Sequence, residues 1–162
     1  MEPVIVTLVV YSVFAGLSLW RPNVGRIVIG IFFAVMGIVV NGLVLTVAPA
    51  LFVGMAEDVP WGWYRELMLA VVAPAPQLFG VAMVVVELTI AGLILSRGKA
   101  RLIGLAAGAV FLIGITPLGL YSVANLLLAA NLLYLFWINA AHPSTPTATA
   151  KRAATSVGGG AT

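Results

Sequence analysis

Glu87 is the one acidic or basic side chain set deep in an apolar run, in the stretch Val84-Val85-Val86-Glu87-Leu88-Thr89. A carboxyl in such surroundings is costly. It has to face the interior of a helix bundle, where it either stays protonated or finds a partner. One reading of Glu87 is a site for a proton, a cation or the headgroup of a ligand. The other is a protonated acid hydrogen-bonded to a neighbouring helix. Asn131 is the expected partner, because it falls at a similar depth of the last apolar run, with Tyr134 three residues on and on the same helical face. Asn41 and Asn125 form a second expected pair, each about six residues from the outer end of its helix. Amides and hydroxyls between apolar helices commonly act as hydrogen-bond glue worth about 0.6–2 kcal/mol each. Ligand binding is the alternative role for these groups.

Other chemistry is sparse. The chain has no cysteine, which removes disulfides, thiolate metal sites and CxxC redox chemistry. Its one histidine, His142, lies in the C-terminal tail, so a paired-histidine haem inside the bundle is excluded. The sequence offers no nucleophile–base pair and no metal-ligand cluster, so no catalytic residue and no metal site is assigned. No motif calls for a cofactor. A quinone or a lipid is the ligand class that a carboxyl and amides inside an apolar bundle would suit.

Elements able to hold such a carboxyl follow from composition. Of 162 residues, 62% are hydrophobic and 8% charged, against roughly 25% charged in a soluble domain. So few charges cannot cover a water-facing surface. The mean hydropathy of +1.16 points the same way. The expected fold is all-α: a polytopic membrane helix bundle of about five transmembrane helices. Spans are expected at about residues 3–20, 27–47, 77–96, 102–116 and 120–139. The first lacks the basic leader and the small-residue cleavage site of a signal peptide, and reads as a retained helix. Residues 48–76 carry four prolines and most of the acidic residues, and read as a loop with a short interfacial helix around residues 64–72. Residues 140–162, rich in Ala, Thr, Ser, Gly and Pro, read as a disordered cytoplasmic tail.

Charge sets the orientation. With the N-terminus outside, Arg21, Arg26, Arg97, Lys99, Arg101, Lys151 and Arg152 all fall in the cytoplasm, while Glu57, Asp58 and Glu66 fall outside with a single Arg65. Trp20 and Trp137 then mark the inner interface, and Trp61 and Trp63 the outer one. The net charge of +3 forms no basic stripe, so nucleic acid is excluded as a partner. The lipid bilayer is the expected partner, and the basic turn at residues 97–101 either attracts anionic lipid or sets topology.

Small residues mark where helices approach. Gly30, Ala34, Gly37 and Asn41 share one stripe, and Gly104 and Gly108 form a GxxxG element. These glycines serve packing within the chain or the docking of another subunit. Trp61 and Trp63, beside Tyr64, are the exposed candidates for a contact, either with headgroups or with a partner.

Two stretches carry a family resemblance. Arg26-Ile27-Val28-Ile29-Gly30-Ile31-Phe32-Phe33 with Gly37, and Glu87-Leu88 with Gly92-Leu93, Leu95 and Gly98, resemble the DoxX-like family of small bacterial membrane proteins over residues 26–139. The resemblance implies a four-helix core and a role in redox-linked membrane assemblies. It leaves the first helix outside, and only Glu87 and the glycines carry over. Two functions are expected from all of this. The first is a non-catalytic accessory subunit of a larger respiratory, redox or lipid-transport complex, or a homo-oligomer, in a bacterial inner membrane. The second is a small carrier or binder of a lipophilic ligand, centred on Glu87.

Overall fold

The computed structural model describes residues 2–118 and 123–141, and no strand occurs among them. The expected start of the last span at residues 120–122 and the expected tail from residue 142 on, with His142, lie outside the described residues.

Helix α1 runs Glu2–Trp20 and is mostly apolar, with Tyr11, Ser12 and Ser18 among its polar residues. After the single residue Arg21, Pro22 opens α2, Pro22–Val35. Proline suits this position because its missing N–H needs no partner there. The helix therefore begins five residues earlier than the sequence suggests, and Arg26 lies inside it. It continues through a π-helical turn, Met36–Asn41, into α3, Gly42–Val47, so that Pro22–Val47 is one helix of 26 residues.

The expected outer loop is largely helical. Helices α4, Leu51–Glu57, and α5, Gly62–Val72, fold into a hairpin broken at Pro60. Pro76 opens α6, Pro76–Leu95. Gly98, at φ +63° in the left-handed region that glycine favours, turns the chain into α7, Lys99–Ile115. Pro117 ends that helix in a 3₁₀ turn, Thr116–Leu118. Helix α8 covers Asn125–Ala141. Pro22–Val47, Pro76–Leu95 and Lys99–Leu118 are long and apolar enough to cross a membrane, and two shorter apolar helices, Val4–Trp20 and Asn125–Ala141, accompany them.

These elements pack as a ring. Helix α2 lies against α6, α6 against α7, α7 against α8, and α1 closes the circle between α8 and α2. The hairpin α4–α5 sits on the start of α6, where Phe52 stacks edge-on to Phe79. The core at the ring's centre is built from Ile29, Phe33, Ile90, Leu105, Leu128 and Leu132, all buried. Tyr11, Phe14, Phe32, Phe33 and Phe111 form a chain of ring contacts that ties α1, α2 and α7 together.

Glycines set the closest approaches, and they do so within the chain. A Cβ on Gly30 would meet Leu95 at 2.8 Å, and one on Gly108 would meet Leu132 at 3.0 Å. At Gly104 the obstacle is backbone: a Cβ there would lie 2.5 Å from the Ile94 nitrogen. All the glycines put forward as docking surfaces for another subunit, Gly30, Gly37, Gly104 and Gly108, are thus occupied by neighbouring helices of the same chain.

Gly104→Ala is expected to cost about 1–3 kcal/mol, the usual penalty for overpacking. Gly92→Ala, whose added Cβ meets nothing within 4 Å, is expected to leave stability unchanged. Thermal unfolding of both variants in detergent, followed by circular dichroism, checks this. Equal melting temperatures would refute the close α6–α7 contact.

Candidate functional site

The α2–α6 seam carries the site. Three contacts set its antiparallel register: Gly30 against Leu95, Gly37 against Glu87, and Leu45 against Gly80. On α6 the residues Gly80, Glu87 and Ile94 recur every seven positions and are all buried, so they form one continuous face toward α2. Glu87 is 5% exposed, at the middle of that face.

Gly37 makes room for it. A Cβ at position 37 would stand 3.2 Å from the Glu87 Cβ and 3.4 Å from its Oε2. One turn further on, Asn41 Nδ2 donates to Glu87 Oε2 at 2.5 Å. Gly37 and Asn41 both belong to the π-turn, which closes with the Gly42 N–H bonding to the Gly37 carbonyl. Such turns widen a helix locally and are frequent at functional sites. Here the turn brings a glycine and an amide to the same carboxyl. Among the described residues, no cation pairs with Glu87, and its hydrogen-bond partner is a neutral amide.

The expected pairing is therefore corrected. Glu87 pairs with Asn41, not with Asn131. Asn125, expected opposite Asn41, instead accepts a hydrogen bond from the Tyr11 hydroxyl at 3.3 Å. The reason is azimuthal: α8 packs against α7 and α1, whereas α6 packs against α2 and α7. Equal depth does not bring α6 and α8 face to face. Asn131 is 6% exposed, and its Nδ2 has no partner among the described residues. Tyr134 is half-buried at the edge of the aliphatic core.

Tyr11 was not among the sequence candidates. Its ring stands edge-on to Phe32 on α2, and its hydroxyl joins α1 to α8 through Asn125. The available signal was a lone phenol inside the first apolar run. At the outer end, the Tyr64 hydroxyl donates to the Gly114 carbonyl at 2.6 Å and fastens α5 to the end of α7. Burial pushes this phenol above its ordinary pKa. Beside it Trp61 and Trp63 stand exposed, with the Trp63 ring edge-on to Tyr64.

Neither family models, curated proteins nor solved structures give a match to this chain. No group of three or more His, Asp or Glu side chains suited to a metal occurs among the described residues. The arrangement offers an acid–amide pair in an apolar seam. It can donate and accept hydrogen bonds, or hold a proton, without breaking an ion pair.

A double-mutant cycle reads this geometry directly. Asn41→Ala and Glu87→Ala are expected to couple by about 0.6–1.7 kcal/mol, the range for hydrogen bonds between membrane helices. The cycle of Asn131→Ala with Glu87→Ala is expected to give a coupling near zero. Unfolding equilibria in mixed micelles measure both, and the reverse ranking would overturn the assignment.

Proposed function

We propose that the chain is a five-span integral membrane protein whose Glu87–Asn41 pair binds the polar end of a lipophilic ligand, such as a quinone or a lipid. The carrying observation is the buried carboxyl held by a neutral amide on a π-turn, in a seam that glycine keeps narrow. A carbonyl or hydroxyl on a long apolar molecule is complementary to such a pair. The exposed apolar faces of the ring would keep that molecule in hydrocarbon.

Packing supports five spans. Helices α1 and α8 pack with the three long apolar helices and close the ring with them, as two further spans would. The four tryptophans are exposed, in two groups at opposite ends of the bundle, as headgroup anchors would be. Arg21, Arg97 and Lys99 lie at one end, and Glu57, Asp58 and Glu66 at the other. The positive-inside rule then puts the basic end in the cytoplasm and the α4–α5 hairpin outside.

A second reading, an accessory subunit of a larger complex, is favoured by one feature. Trp61 and Trp63 are exposed on a helix that Tyr64 clamps in place. That makes a preformed surface for a partner.

Cysteines introduced singly at Gly62 and Ser96, in this cysteine-free chain, are expected to react with an impermeant maleimide from opposite sides of the membrane, with Gly62 labelled in intact cells. Labelling of both from one side would remove the proposed topology.

For the ligand, a short-chain quinone titrated into the protein in nanodiscs is expected to bind about tenfold more weakly to Glu87→Gln, as loss of one buried hydrogen bond to a charged or acidic group implies. Trp61→Ala should leave the affinity unchanged. Equal affinity of Glu87→Gln and wild type, together with a stoichiometric partner purified from native membranes, would select the accessory-subunit reading instead.

A further inference from the structure

The basic end of the bundle holds a second polar cluster, built from residues that the sequence places in separate turns. Arg26, one turn into α2, donates through Nη1 to the carbonyl of Ile94 at the end of α6. Arg101, in the first turn of α7, donates through Nη1 to Asn139 Oδ1 on α8 at 2.6 Å. Asn139 is itself held by its Nδ2, which donates to the Leu135 carbonyl at 2.7 Å. Both arginines are partly buried, and both sit at the α6–α7 corner: Arg26 reaches the Ile94 carbonyl, and the Ile94 backbone lies against Gly104, one turn along α7 from Arg101.

Neither has a counter-ion among the described residues. Their acceptors are a peptide carbonyl and an amide, both neutral. Glu57, Asp58 and Glu66 belong to the opposite end, and Glu87 is engaged by Asn41. The Nε of each guanidinium is buried without an acceptor. Two partly desolvated like charges are unfavourable as they stand, and an anion against their exposed sides would offset that cost. The N-termini of α2 and α7 add the positive ends of two helix dipoles at the same level. The guanidinium fork matches a phosphate. Exposed Trp20 and Trp137 put this level at the headgroups in the proposed orientation.

We propose that Arg26 and Arg101 together bind one phosphate group, of the phosphodiester kind carried by anionic lipids, at the basic end of the bundle. The site rests on the membrane reading above but not on the Glu87 ligand. The exposed cations Arg21, Arg97 and Lys99 attract an anionic surface in general. The partly buried pair holds a single phosphate.

The test is native mass spectrometry of the full chain in a non-ionic detergent, titrated with phosphatidylglycerol. Wild type is expected to retain one lipid. Arg26→Gln and Arg101→Gln are each expected to weaken retention about tenfold, the scale of one charge-assisted hydrogen bond. The Arg97→Gln/Lys99→Gln double variant should stay within about twofold of wild type, because it removes surface charge only. Circular dichroism and a monodisperse elution profile establish folding. Should Arg26→Gln not fold, Arg101→Lys and Asn139→Ala serve in its place: one keeps the charge without the fork, the other keeps the guanidinium without its tether, and each is expected to weaken retention severalfold.

Inorganic phosphate supplies the arm that separates the two sources. Competition by millimolar phosphate makes a free anion the occupant of the same site. Undiminished lipid retention in its presence makes the occupant a lipid. Equal retention by wild type and the folded arginine variants, or a loss as large in the Arg97→Gln/Lys99→Gln variant, overturns the proposal.

Discussion

Glu87 can be buried in the α2–α6 seam because Gly37 lets the two backbones close until an amide on the next turn reaches the carboxyl. A Cβ at position 37 would crowd the Glu87 stem at 3.2 Å and push the two helices apart by a few tenths of an ångström. Without Asn41 the acid would face apolar atoms on that side, and a buried unsatisfied group of this kind costs more than a made hydrogen bond gives back. The register of α2 on α6 follows from this pair, with Gly30 and Gly80 repeating the close approach on either side of it. Helix α7 then docks on the rest of α6 through Gly104, and α8 and α1 complete the circle. The seam therefore has a structural duty whatever it binds, and a ligand there has to exchange hydrogen bonds with the pair without opening the bundle.

The two ends of the ring are built on different physics. At the outer end the chain covers the start of α6 with a short helical hairpin, clamped by one phenol–carbonyl hydrogen bond and by the Phe52–Phe79 contact. At the basic end no such cover is seen among the described residues. The helix ends are joined instead by arginines that donate to a carbonyl and an amide of neighbouring helices. Of these hydrogen bonds, the one from Arg26 satisfies a helix-terminal carbonyl, which lacks a partner within its own helix. They hold α2 to α6 and α7 to α8, but they leave positive charge uncancelled.

Much of the helical layout is readable from apolar runs punctuated by Pro and Gly. Pro76, Gly98 and Pro117 mark boundaries of α6 and α7 because each imposes a backbone geometry or removes a donor. The start of α2 is harder to read, since an arginine one turn inside a helix resembles a loop residue until its long side chain is seen to reach a neighbouring helix end. Helix α4 is hidden for a similar reason: the acidic and proline residues around it signal a loop, yet seven residues between two prolines suffice for a short helix. Asn41 is legible as a polar group on the Gly37 stripe, but its pairing with Glu87 is not. Sequence spacing gives depth along a helix, whereas the pair depends on which helices are neighbours around the ring. The π-turn that presents Gly37 and Asn41 together leaves no mark in the apolar pattern.

Along α6, Glu87 and Ile94 are seven residues apart, which is two turns or about 10 Å. The acid–amide pair and the arginine pair are thus near neighbours in depth but differ in what lies between them. Ile90, Ile94, Phe33 and Leu132 fill that interval with buried apolar side chains, packed against Gly108 at the ring's centre. Were the carboxyl and the guanidinium groups adjacent, they would neutralise one another as an ion pair, and neither would be free for an outside group. Among the described residues, the apolar layer keeps an acid without a cation and two arginines without an acid in the same small bundle. Joining them would not by itself have stabilised the bundle, since the desolvation of a buried ion pair can exceed its Coulombic gain. Their separation leaves the carboxyl with a neutral amide and the arginines with neutral acceptors, so each group can exchange hydrogen bonds without an ion pair being broken.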